Sequence, residues 1–177
     1  MPLPPLPDTR CPSLRPSHKG SRLEVKVMKL TGEVLNSYKR NVIVDANSSK
    51  ALFSVPLDEA LKGVRKEDVF IHAVLLTDKG NSNYTNNYFL VKQKEVNYPK
   101  AQLATSVQPI EGGFEVTLSS DNFARAVFIA TGDANSSFSD NYFDILPGSS
   151  VKVEVYTDLP LATFEKQLKV VSLSDEY

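Results

Sequence analysis

The sequence predicts an all-β protein arranged as two tandem β-sandwiches, and three observations point there. From Arg22 onward apolar residues recur with a period of two, the spacing of half-buried strands. Turn signals made of Gly, Asn, Asp and Pro break that pattern at close intervals, and only one segment offers a helical turn. The 177 residues suffice for one ordinary domain or two small ones, and would bury roughly 70% of the unfolded surface as a single unit.

Residues 1–21 stand apart as a Pro-rich leader. Six of the eleven prolines fall here, and Leu3, Leu6 and Leu14 are isolated between them. Proline lacks the donor that helices and ladders need, so a disordered or loosely polyproline II segment is expected. No continuous apolar run of a secretion signal is present in it. PLPPLP could dock on an SH3-type groove; a plain tail is the simpler reading.

The strands follow in order. Leu23, Val25 and Val27 alternate with Glu24 and Lys26, and 31-TG-32 turns the chain. A second run ends in Val42, Ile43 and Val44 and is closed by 45-DANSS-49. Ala51, Phe53 and Val55 form a third alternating face. In 56-PLDEALKG-63, Asp58 can cap a helical turn that Gly63 ends. The run 69-VFIHAVLLT-77 is apolar on both faces and reads as a central strand, with 78-DKGN-81 as the turn and 87-NYFLV-91 as its partner. A second series begins after 97-NYPK-100. Residues 101–107 are a weak opening strand, Glu111-Gly112-Gly113 is a hairpin turn, and Phe114, Val116 and Leu118 alternate. The segment 125-RAVFIA-130 is again central. Val151, Val153 and Val155 form the next strand, and 163–173 reads as the last. The domains expected are 22–97 and 98–177. A faint echo links them: 69-VFI-71 precedes 87-NYF-89 as 127-VFI-129 precedes 141-NYF-143.

Composition narrows the function. A formal net charge of −1 with 41% apolar residues describes a globular chain without the basic excess that nucleic acid demands. The single cysteine, Cys11, allows neither an intrachain disulfide nor a Cys-based metal cage. No apolar run reaches the ~18–20 residues of a membrane span.

Catalytic chemistry is hard to assemble. Of the two histidines, His18 lies in the leader, and His72 sits in a strand where a satisfied structural residue is the expected role. No Ser/His/Asp set, phosphate loop or cofactor motif emerges. Asp121, Asp133, Asp140 and Asp144 fall at turns or strand ends, where Asp serves local hydrogen bonds. The loop 132-GDANSS-137 has one carboxylate, too few for a calcium site. Sugar-binding sandwiches stack aromatic rings on pyranose faces, and this chain has no Trp. The candidates Tyr84, Tyr88, Phe138, Tyr142, Phe143 and Tyr156 are each better read as structural. Sequons at Asn47, Asn83 and Asn135 matter only on a eukaryotic secretory route.

The series 125-RAVFIATGDANSSFSDNYFDILPGSSVKVEV-155 resembles the C-terminal immunoglobulin-like domain of β-mannosidases of glycoside hydrolase family 2. Phe138, Ser139, Asp140, Asn141, Phe143, Asp144, Leu146, Pro147 and Gly148 fit that family's corner motif. Ile145 stands for its Leu and Ser149 for its Glu. Residues 23–35, 69–76 and 86–90 are similar to the immunoglobulin-like domain that precedes it, so the resemblance covers about 22–173. It implies two immunoglobulin-like or fibronectin-like sandwiches, the first partial, because one or two further strands are expected ahead of Leu23. The family's catalytic glutamates lie on a (β/α)₈ barrel of ~250 residues, which nothing here can form, so no catalytic, cofactor or metal residue carries over. The resemblance therefore implies a non-catalytic fragment, partnered by a catalytic barrel and other domains of a parent glycosidase that acts on terminal β-mannose. If the chain follows that family, a periplasmic or secreted location is implied. A stand-alone carbohydrate-binding module and a fibronectin-type interaction module are the alternatives; nucleic acid and membrane are not expected partners. In the corner, Asp140 and Asn141 are expected to bond backbone groups, with Phe138 and Phe143 packed on the strand 126–130.

Overall fold

A computed structural model describes residues 18–45, 51–77, 83–133 and 135–175. Most of the leader, with Cys11, lies outside the described residues, as do Asn47 with most of its loop and the turn at 78–81. Nearly all regular structure is antiparallel β. The N-terminal domain is a four-stranded sheet of order β2-β1-β3-β4, from β1 (His18–Lys29), β2 (Val34–Val44), β3 (Val69–Leu76) and β4 (Asn83–Phe89).

β1 starts at His18, inside the expected leader. Residues 18–21 carry no apolar alternation to announce a strand, yet they pair with β2 through a bulge after which Ser21 faces Val42. Gly20 takes φ +80 there. β4 likewise starts four residues before its expected onset. Its first residues are polar and join β3 through the ladder, Leu76 opposite Asn83 and Val74 opposite Thr85.

Residues 51–56 form no strand, contrary to the alternation of Ala51, Phe53 and Val55. Phe53 instead leans on Tyr38 of β2, ring centroids 5.1 Å apart. The helical turn α1 (Leu57–Leu61) follows Pro56 without a side-chain cap from Asp58. It ends on Lys62 at φ +51, one residue before Gly63. Val55, Ala60 and Leu61 cover Val27 and Val69 on one face of the sheet.

The C-terminal domain has two sheets. One runs β5-β6-β10-β8, from β5 (Leu103–Ile110), β6 (Gly113–Ser120), β8 (Ser137–Phe138) and β10 (Ser150–Tyr156). The other runs β11-β7-β9, from β7 (Ala124–Ala130), β9 (Phe143–Ile145) and β11 (Lys169–Val171). Alternation is strict in β6, and Val116, Leu118, Val127, Ile129, Val153 and Val155 meet in the core with no exposed surface. Burial of that kind contributes about 1.5–3 kcal/mol per side chain.

The last strand expected over 163–173 is instead helix α2 (Leu161–Gln167) followed by short β11. Pro160 presets the helical entry, where a missing donor costs nothing. Phe164 and Leu168 then fall on one helical face. Phe164 is fully buried and stacks on Phe114 at 4.4 Å. Among the described residues no helix is long and apolar enough to cross a membrane.

Candidate functional site: the joint between the domains

The corner 138–148 lies where the two domains meet. Phe138 faces Val155 across the ladder and is half-buried against the C-terminal core. Ser139 donates its N–H to Glu154 O and accepts the Glu154 N–H on Oγ, both at 2.9 Å. Asp140 Oδ1 accepts the Asn141 N–H at 2.8 Å. Asn141 Oδ1 accepts the Ile129 N–H at 2.9 Å, and its Nδ2 donates to Ile129 O at 2.9 Å. A primary amide offers the same donor and acceptor as a peptide group, so the ladder continues through the corner on a side chain. Tyr142 follows at φ +60, a region costing an ordinary residue about 1–2 kcal/mol. Its exposed ring stacks on Phe128 at 5.0 Å.

In β9, Ile145 is fully buried, Phe143 is half-buried, and Asp144 points at the neighbouring domain. Between the pairs Ala124–Ile145 and Val127–Phe143 the strand β7 holds one extra residue and bulges, with Ala126 at φ +48. Asp144 holds that bulge: Oδ1 accepts the Ala126 N–H at 3.1 Å, and Oδ2 pairs with the Arg125 guanidinium. Oδ2 also accepts from Asn87 Nδ2 at 2.9 Å. Asn87 belongs to β4 of the N-terminal domain, and its Oδ1 lies 2.8 Å from His72 Nδ1. With the amide nitrogen committed to Asp144, Oδ1 must accept, which assigns the imidazole proton to Nδ1. His72, Asn87, Asp144 and Arg125 thus form one polar chain across the joint.

Apolar contacts close it. Leu146 packs in one cluster with Met28, Leu30 and Phe70 of the N-terminal domain and with Phe123. The Phe70 and Phe123 rings lie 4.5 Å apart, and the Phe123 N–H donates to Leu30 O at 2.8 Å. The Arg125 guanidinium sits over Phe89, 5.3 Å from the ring centre. Pro147 presses on the β1–β2 turn: a Cβ on Gly32 would stand 2.8 Å from Pro147 Cβ, and Gly32 has φ +99. Gly148, at φ +70, donates its N–H to Ser120 O, and Ser149 Oγ closes on Leu146 O. The linker is pinned as well. Asn97 donates from Nδ2 to Asp68 Oδ1 at 2.7 Å and from its N–H to Glu67 O. The Asn97 amide, helped by Arg65, holds the Asp68 carboxyl below the usual carboxylate range against the opposing pull of desolvation.

The other candidates scatter. Asp121 caps the backbone N–H groups of Gln102 and Asn122. Asp133 accepts from Asn135 N–H, Ser136 Oγ and Thr157 Oγ1, and the first of these does most to lower its pKa. Of these four aspartates, Asp144 is the one that bonds a residue of the N-terminal domain. Among the described residues no three His, Cys, Asp or Glu side chains cluster as metal ligands. Tyr84, Tyr88, Tyr142 and Tyr156 are 43–68% exposed, which corrects the expectation that such rings serve the core. Tyr84 and Tyr88 share one face of an edge strand, Tyr142 lies within the corner with its ring turned to solvent, and Tyr156 alternates outward from Val153 and Val155. Asn135 is exposed and Asn83 opens β4. Sequence reasoning missed Asn87, Arg125 and Gly32. Their available signals were a polar run inside a strand, a lone charge opening an apolar one, and a turn glycine.

Two antiparallel β domains joined through a shared corner define a tandem immunoglobulin-like module. Residues 13–95 match the family described as a mannosidase Ig/CBM-like domain, and residues 98–176 match the Ig-fold domain of the mannosidase type. In both halves the chain belongs to the immunoglobulin-like domains of mannosidases. Among solved structures it is similar to a β-D-mannosidase from Dictyoglomus thermophilum, at 22% identity and a TM-score of 0.68 over 89% of this chain and 19% of that one. It is also similar to the exo-chitosanase CsxA from Amycolatopsis orientalis, at 16% identity and a TM-score of 0.59 over 89% of this chain and 23% of that one. The chain thus spans about a fifth of the length of these neighbours. No curated protein matches it.

Proposed function

We propose that the chain is a non-catalytic accessory module of a β-mannosidase-like glycoside hydrolase, whose role is to pack against the catalytic domain and hold it in place. The supporting observation is the order of its parts: two mannosidase-type immunoglobulin-like domains in succession, joined through a polar chain and an apolar cluster. A joint built that way suits a rigid spacer better than two independent binders. In the parent enzyme the barrel hydrolyses terminal β-mannose, and this module contributes no residue to that reaction.

The test is the DNA upstream of codon 1, read in all frames. A barrel-coding sequence running toward Leu23 is the expected result, together with no hydrolysis of an aryl β-mannoside by the purified chain. Upstream sequence that encodes no glycosidase barrel, or measurable turnover by the chain alone, overturns the reading.

A further inference from the structure

A cavity of about 350 Å³ opens at the joint between β4, β7 and β9, lined by Thr85, Asn86, Asn87, Arg125, Phe143 and Asp144. Its size is at the small end for ligand pockets (~300–1,000 Å³), and domain joints are a preferred place for them. Strand alternation sets Thr85 and Asn87 on the same face of β4 as Phe89. Arg125 lies across Phe89 and gives one Nη1 donor to Asp144. A guanidinium carries five N–H donors in a planar fork, and among the described residues the rest meet no protein acceptor. Asp144 matches the Arg125 charge, so the lining carries no net charge. An entering anion would meet the Asp144 carboxylate and a cation would meet Arg125. Phe143, half-buried, adds an aromatic wall.

Fixed donors and acceptors, one aromatic wall and no net charge suit a neutral, hydroxyl-rich ring. We propose that this cavity binds a single neutral pyranose, with vicinal hydroxyls accepting from Arg125 and bonding Thr85. Thr85 and Asn87 come from one domain and Arg125, Phe143 and Asp144 from the other, so the bound sugar also braces the joint. The inference rests on the cavity and does not require the parent activity.

The test is an amide NMR titration of the full chain with methyl β-D-mannopyranoside to about 50 mM, a range that detects millimolar binding, with sodium acetate in parallel. Saturable shifts at Thr85, Asn86 and the Arg125 Nε–H are expected with the sugar and not with acetate. Thr85→Val replaces an exposed side chain by one of equal shape. It should leave the remaining spectrum intact and weaken binding up to about tenfold, the worth of one hydrogen bond. Absence of saturable shifts, equal shifts with acetate, shifts centred on Tyr84 and Tyr88, or unchanged binding by Thr85→Val overturns the proposal. None of these outcomes bears on the upstream DNA.

Discussion

Asn87 Nδ2 meets Asp144 Oδ2 at 2.9 Å across 57 residues of sequence, tying an edge strand of one domain to the corner of the other. Asp144→Ala removes the acceptor for Asn87, Arg125 and Ala126 together. Loss of one member of a buried ion pair costs about 3–5 kcal/mol. Arg125 keeps 31% of its side chain in solvent, which lowers the expected loss to about 2–3 kcal/mol. Asn87→Ala should cost about 1.5–2 kcal/mol. In urea denaturation the double variant should lose at least about 1 kcal/mol less than the sum; additivity within about 0.5 kcal/mol would show the two groups are uncoupled.

Gly32 faces two obstacles to a side chain, its φ of +99 and Pro147 Cβ 2.8 Å from a built Cβ. Gly112 has φ +76 and nothing within 4 Å, so it isolates the backbone strain. Gly32→Ala should be less stable than Gly112→Ala by at least about 1 kcal/mol, the cost of forcing a methyl into a filled contact. Equal losses in denaturant midpoints would show that the turn does not press on Pro147.

Asn141→Ala leaves the N–H and C=O of Ile129 without their partner. Two lost hydrogen bonds at a half-buried corner should cost about 2–3 kcal/mol. Asn141→Asp keeps the acceptor but sets a carboxylate oxygen against the Ile129 carbonyl, so it should not rescue. The Ile129 amide should exchange faster in both variants, and an unchanged exchange rate would remove Asn141 from the ladder.

Asp68 makes stability depend on pH. Its folded pKa is lowered, chiefly by Asn97, so the charged form is favoured by folding. That contribution is fully present above the ordinary carboxylate value of about 3.9 and is lost as pH falls below it toward the folded value. Asp68→Asn should therefore flatten the acid limb of the stability profile between about pH 5 and pH 2 and leave its shape near pH 7 unchanged. An acid limb identical to that of the parent chain would show that Asn97 does not discriminate the charged carboxyl.

The strands with strict alternation were legible in the sequence. Phe114, Val116 and Leu118 in β6 and Val153 and Val155 in β10 read correctly, because period two and a buried face coincide there. Elements held by backbone pairing or by one anchoring contact were not. His18–Ser21 and Asn83–Asn86 join ladders without an apolar face, and α2 follows from Pro160 and the burial of Phe164 rather than from alternation. The triplets 69–71 and 87–89 fall on neighbouring antiparallel strands, whereas of 141–143 only Phe143 belongs to the strand beside 127–129. Phe70 faces Phe89, whereas Val127 faces Phe143, a one-residue offset beside the bulge in β7. In the corner, the local bonds of Asp140 and Asn141 follow from residue type. The reach of Asp144 to Asn87, and of Pro147 to Gly32, depends on how the two domains are set together, which no local pattern encodes.

Whether the joint makes one cooperative unit is read most directly by differential scanning calorimetry of the full chain. A single transition with equal calorimetric and van't Hoff enthalpies is expected, and Asp144→Ala should split or broaden it. Two separable transitions in the unaltered chain, or a van't Hoff enthalpy near half the calorimetric one, would contradict a joint that couples the two domains.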